Sequence, residues 1–186
     1  MNDNTYITFD SIFDYQKANP EKFELIRDNK KRIPYLLIAG LCLLLAVFPG
    51  WLPFCPGWFV RTAALIGLGV SGFIAWSTGE YYRCVGSGEP LRQIGTKTFR
   101  NGKDPECRKQ ILEAFARRDF EFLANEPSAK GPALTLSVWE NPGQREFYLH
   151  IMYFTDERIC GATGVLEFSG ADYTANEQHI RAVIGK

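Results

Sequence analysis

The chain has 186 residues, 46% of them hydrophobic, and its 21 Lys and Arg balance 21 Asp and Glu. That balance lacks the basic excess a nucleic-acid backbone demands, so nucleic acid is not expected as a partner. Once two long apolar segments are set aside, the remainder allows one small domain with its own core.

Residues 1–32 form a polar arm with six basic and six acidic side chains. Thr8 is placed to cap a first short helix, and Asn19 followed by Pro20 to start a second. Glu21 near that start, with Arg27, Lys30 and Lys31 near its end, complements the helix dipole. Phe9, Ile12, Phe13 and Tyr15 on the first helix and Phe23 and Ile26 on the second lie at helical spacing. The arm is expected to cap the fold, with Phe9, Ile12, Phe13, Phe23 and Ile26 as candidate anchors for docking a protein partner.

Ile33 to Phe54 and Trp58 to Thr78 are apolar, and only Cys55-Pro56-Gly57 joins them. Each is about the ~20 residues a helix needs to cross a bilayer, so residues 33–78 predict a two-helix transmembrane hairpin in contact with lipid. Lys30, Lys31 and Arg32 precede the first segment, whereas Pro49 to Trp58 carries no charge. Retention of basic residues inside then predicts an inner-membrane protein of bacterial type with both termini cytoplasmic. Arg61, near one end of the second segment, is expected to snorkel to the outer interface and anchor the topology with the three basic residues. Trp51, Phe54, Trp58 and Phe59 predict an outer aromatic belt, and Tyr35, Trp76, Tyr81 and Tyr82 an inner one. Pro49, Pro53 and Pro56 predict that the first helix stops near Phe48. The polar lead of 32 residues argues against a secretory signal peptide.

Ala63, Gly67, Ser71 and Ala75 recur every fourth residue, as do Cys42, Ala46 and Gly50. Rows of small residues let helices approach closely, either within the hairpin or between copies of the chain.

Residues 79–90 read as a linker, whose Gly-Ser-Gly lacks the spacing and lysine of a phosphate loop. Residues 91–186 predict a cytoplasmic α+β domain, an antiparallel sheet of three to four strands with two helices on one face. Gln93 to Phe99 is the first strand, and Asp104-Pro105-Glu106 opens a helix running to about Leu123. Ala133 to Glu140 and Arg145 to Phe154 alternate around Asn141-Pro142-Gly143-Gln144, a hairpin. Pairing Glu140 with Arg145 puts Val138 opposite Phe147, Leu136 opposite Leu149 and Leu134 opposite Ile151. Thr155 to Arg158 is the next turn, and Ile159 to Phe168 a third strand whose Gly161 and Gly164 mark a bulge. Thr174-Ala175-Asn176-Glu177 is a capping box for a last helix ending at Gly185.

Cys84, Cys107 and Cys160 are expected to be reduced thiols, with Cys55 the one thiol on the outer side. No cysteine pair has metal-ligand spacing and His150 and His179 complete none, so neither metal nor cofactor is expected. His150, Cys160 and Asp156 are the residue types of a thiol nucleophile with base and orienting carboxylate, but no spacing requires them to meet. Ser87 fails the G-x-S-x-G pattern, and Arg117-Arg118 reads as a solvated helix face. The sequence therefore predicts a non-enzymatic, inner-membrane-anchored interaction module, an adaptor or scaffold for a protein partner at the cytoplasmic face. The alternative is an oligomeric two-helix membrane effector or channel subunit with a ligand-sensing cytoplasmic domain, assembled through the small-residue row.

Overall fold

The computed structural model describes residues 8–52, 54–129, 134–155 and 158–185. The chain divides into two units, Leu25–Tyr81 and the remainder, Met1–Glu24 with Tyr82–Lys186. Asp156, Glu157, Ala133 and Pro53, which enter the expectations above, lie outside the described residues.

The larger unit starts with α1 (Ile12–Ala18), capped by Ser11, whose side chain accepts from the Asp14 N–H. Asn19 ends this helix instead of starting another, and its amide donates to the Tyr15 carbonyl at 2.7 Å. The predicted second helix of the arm is a strand, β1 (Phe23–Arg27), which pairs with β2 (Glu80–Cys84) where a linker was expected. Five residues of alternating burial suit a strand with a partner, and that partner lies more than fifty residues away.

The main sheet has five strands, more than the three or four predicted. Its order is β3 (Arg92–Thr98), β4 (Leu134–Asn141), β5 (Glu146–Phe154), β6 (Ile159–Gly161), and β7 (Leu166–Ser169) also pairs with β5. The predicted third strand splits because β6 pairs with Met152 to Phe154 and β7 with Glu146 to Leu149. Between them the chain leaves the ladder at the expected bulge, and the Thr163 hydroxyl takes over as acceptor for the Ile151 N–H at 3.1 Å.

The β4–β5 register differs from the prediction by two residues: Leu136 faces Ile151, Val138 faces Leu149 and Glu140 faces Phe147. A shift of two preserves which side chains point inward, so the apolar set stays intact. The shift arises because β4 continues to Asn141, which pairs with Glu146, leaving Pro142 to Arg145 as the loop. Arg145 closes that loop in a left-handed conformation, φ 56°.

One face of the sheet is covered by helices. The predicted long helix breaks into α4 (Pro105–Ala116), capped by Asp104, and α5 (Phe120–Asn125), capped by Asp119. The break falls at Arg118, whose φ of 60° ends the helix as a glycine would. The last helix, α6 (Gly170–Val183), starts four residues before the predicted capping box, so Thr174 lies inside it. Leu134, Leu136, Val138, Phe147, Leu149 and Ile151 form the core with Ile111, Phe115, Leu123, Phe168 and Ile180.

The smaller unit contains α2 (Asn29–Val47), a 3₁₀ turn (Pro49–Trp51) and α3 (Gly57–Ser77). A two-helix transmembrane hairpin is not what this structure supports. Helix α2 begins at Asn29, so Lys30, Lys31 and Arg32 occupy its first turns, and it ends at Val47, where Phe48 is the C-cap. Its apolar part, Ile33 to Val47, spans about 22 Å at 1.5 Å per residue, short of a ~30 Å hydrocarbon core. Among the described residues only α3 is long and apolar enough to cross a membrane. Among the described residues the protein is thus an α+β fold with six α-helices, one of them of span length, instead of a hairpin bearing a smaller sheet.

Leu149 is fully buried between β4 and the helical layer. Leu149→Ala should lower stability by about 2–5 kcal/mol, read by chemical denaturation of the full chain in mild detergent. Unchanged stability would mean that β5 does not carry the core.

Candidate functional site

The helices α2 and α3 are antiparallel, as shown by three contacts in opposing order. Arg32 donates to the Ala75 carbonyl at 2.7 Å, and Arg61 to the Ala46 carbonyl at 3.2 Å. Between these, a Cβ placed on Gly67 would lie 2.8 Å from the Cys42 sulfur, so a larger residue there requires the Cys42 side chain to move. Val60, Ala64, Ser71 and Ala75 are the buried residues of α3. Of the predicted small-residue row, Ser71 and Ala75 are buried, Gly67, Cys42 and Ala46 are half-buried, and Ala63 and Gly50 are exposed. The row is therefore used inside the pair, with Ala64 in place of Ala63.

The large apolar side chains of this pair point the other way. Leu37 and Phe73 are each 70% exposed, Trp76 is 69% exposed, and Phe54 at the turn is 97% exposed. None of the residues of α2 is buried. Water is a poor solvent for apolar side chains exposed in this number. Lys30 and Lys31 are exposed at one end of the pair, and Lys31 lies 5.9 Å from the Tyr81 ring centre.

In the larger unit, the face of the sheet away from the helices is covered by the arm. Tyr15 and Phe23 pack on Tyr148, with ring centres 6.0 and 5.6 Å apart, and Cys84 and Leu91 complete this second cluster. Of the five proposed docking residues, Phe23 is buried, Phe9 and Ile12 pack against the cluster, and Ile26 is half-buried. Phe13 stays 48% exposed, edge-on to Tyr82. The sheet face is thus where most of these aromatics are spent.

Polar groups under and beside the arm are paired with carboxylates, and for Tyr15 and Lys22 that partner is distant along the chain. The Tyr15 hydroxyl donates to Glu167, which also pairs with Lys22 at 2.6 Å, and the Tyr148 hydroxyl donates to Glu146 at 2.8 Å. Burial, reinforced by these carboxylates, pushes both phenols well above their usual pKa. Burial likewise pushes the Cys84 thiol up to about 11, helped by the charge of Glu146, so it stays protonated at neutral pH.

His150 sits opposite Ser137 on the covered face and is 1% exposed. Neither ring nitrogen, nor the Ser137 hydroxyl, makes a hydrogen bond of ordinary geometry. Burial lowers the His150 pKa, outweighing the backbone of Phe9 and Thr163 and the carboxylates of Asp10 and Asp14, which favour the cation. Cys160 pairs with Tyr153 on the neighbouring ladder, three residues along β5 from His150. The structure therefore offers His150 as a neutral, sealed ring, a poor base for an external substrate.

No protein-family model, curated protein or solved structure matches the chain. Its reading rests on its own geometry. Among the described residues no three His, Cys, Asp or Glu side chains converge as metal ligands would. The most distinctive surface is the apolar one of the helical pair, and the basic residues at its end complete it.

Two measurements probe these arrangements. Gly67→Leu should force α2 and α3 apart, lowering thermal stability while the mass in detergent by light scattering stays that of the parent; a change of mass would place the row between copies. For His150, the unfolded chain takes up a proton near pH 6.5 that the buried ring refuses. Stability should therefore fall as pH drops below 6.5, by at most about 1.4 kcal/mol per pH unit from this group. Denaturation of His150→Leu between about pH 7 and pH 5 should show a shallower loss, and an identical slope would remove His150 as its source.

Proposed function

We propose that this protein is a non-enzymatic, membrane-anchored interaction module. The carrying observation is the exposure of the large apolar side chains of α2 and α3 while their small ones are packed inside. A water-facing pair buries its large side chains, and this pair keeps them out, as elements solvated by lipid do. Helix α3 supplies the span-length segment, and the shorter apolar stretch of α2 lies along it. The basic end, Lys30 to Arg32, belongs at the headgroups of a bacterial inner membrane. The two ends of the pair are tied together there, because the Asp28 N–H bonds the Gly79 carbonyl at 2.7 Å and Arg27 pairs with Glu80 at 2.9 Å.

The rest of the chain is then the part that meets a protein partner. The candidate base supports binding over catalysis, since His150 is sealed beneath the arm. Phe13, exposed beside Tyr82, is the aromatic anchor left for such a contact.

Alkaline extraction tests the anchor: the protein should stay with the membranes, and Leu37→Arg with Phe73→Arg should release a large part of it, at about 2.5–3.5 kcal/mol for each buried charge. Recovery of the parent protein in the soluble fraction without detergent would overturn the anchor.

A further inference from the structure

The chain as a whole is neutral, but its charge is unevenly divided. Residues 25–81 carry five basic and two acidic side chains, whereas the other residues carry 16 basic and 19 acidic. Within the helical unit most of these charges are already engaged. Arg27 pairs with Glu80, Arg32 donates to the Ala75 carbonyl, and Arg61 donates to the Ala46 carbonyl. Lys30 and Lys31 are different: both are exposed, and among the described residues neither forms an ion pair. They stand in the first turn of α2, where the helix dipole disfavours a cation, and no acidic side chain shares that turn.

The backbone does not explain them. The helix end is capped by Asp28, whose carboxylate accepts from the Lys30 N–H at 2.9 Å, so its own N–H groups are not the feature that needs a ligand. What the two lysines share is a location. Directly beyond them along α2 the exposed apolar surface begins with Ile33 and Leu36, and Trp76 lies exposed in the last turn of α3 at the same end of the pair. Lys31 is held over Tyr81. Exposed ammonium groups at the end of an apolar surface that closes with Trp76 match the sequence of phosphate, interface and hydrocarbon in a lipid leaflet.

We propose that Lys30 and Lys31 form a docking rim for anionic phospholipid headgroups, so that the protein selects negatively charged leaflets over neutral ones. This rests on the membrane-anchor reading and adds the lipid class to it. The ammonium groups take the headgroup phosphates as the counter-ions their own chain does not provide, and the local field of the leaflet offsets the helix dipole.

The test uses the full-length protein and flotation with two vesicle types, phosphatidylcholine alone and phosphatidylcholine mixed with phosphatidylglycerol. The parent should bind the anionic vesicles more strongly, and added salt should erode the difference. Lys30→Gln and Lys31→Gln should each weaken binding to anionic vesicles by about 5-fold, and the double variant by about 30-fold, with binding to neutral vesicles unchanged. Lys30→Arg with Lys31→Arg should restore the preference. Both residues are exposed, so an unchanged circular dichroism melt is expected of every variant. Equal binding of the parent to both vesicle types, or full binding of the double glutamine variant to anionic vesicles, would overturn the rim while leaving the anchor in place. Binding to neither vesicle type would overturn both.

Discussion

Strands β4 and β5 are buried on both faces, and the larger unit is organised around satisfying that burial. On one face Leu134, Leu136, Val138, Leu149 and Ile151 exclude water completely and require the layer of α4, α5 and α6. On the other face Ser137, Tyr148 and His150 are almost as inaccessible, closed off by the arm together with Cys84 and Leu91. A sheet covered on one side would have left these polar groups in water at no cost. Covering them leaves the His150 nitrogens and the Ser137 hydroxyl without ordinary partners, a penalty of about 1–3 kcal/mol for each such group. The apolar gain from Tyr15, Phe23 and Leu91 on the same face is what offsets it. The close approach of the arm is visible at Gly161, where any Cβ would collide with the Phe9 carbonyl.

The edge of this core is stitched by one buried carboxylate. Glu140 accepts from the Tyr173 hydroxyl and from Arg181, each at 2.7 Å, which ties the end of β4 to α6. Tyr173 also stacks on Phe147 with ring centres 4.4 Å apart, so the helix is fixed by one polar and one apolar contact from the same side chain. Two arginines nearby adopt left-handed backbone, which for a residue with a Cβ costs of order 1 kcal/mol. Each has a compensating contact: Arg118 lies 4.9 Å over the Phe168 ring and Arg145 5.4 Å over the Tyr173 ring. Glycine would relieve the backbone at both positions and forfeit those contacts.

The helical pair follows a different solvent logic. Its contact surface is made of Gly67, Ala64, Ser71 and Cys42, which contribute little apolar area but allow close packing, and Arg32 and Arg61 bond carbonyls across the pair. Leucine, phenylalanine and tryptophan are left outside. Close van der Waals contact and interhelical hydrogen bonds, rather than burial of large apolar side chains, therefore hold the pair together.

Local patterns in the sequence determined most of the elements. Alternation placed β3, β4 and β5 and decided which residues face the core, because a strand's side-chain period is two. Asp104 with Pro105 placed the start of α4, and the uninterrupted apolar run placed α3. Tertiary structure decided what depends on distant partners. It turned Phe23–Arg27 into a strand by offering β2, slid the β4–β5 register by two residues without changing faces, and broke the long helix at Arg118. It also decided how much of the first apolar segment is helix. Hydropathy runs from Ile33 to Phe54, but the helix closes at Val47 ahead of Pro49, and its charged first turns lie inside the helix where composition alone counts them as flank. The hydrogen bond of Tyr15 to Glu167 was invisible for the same reason. It joins residues whose proximity no local periodicity encodes, so only the folded chain brings them together.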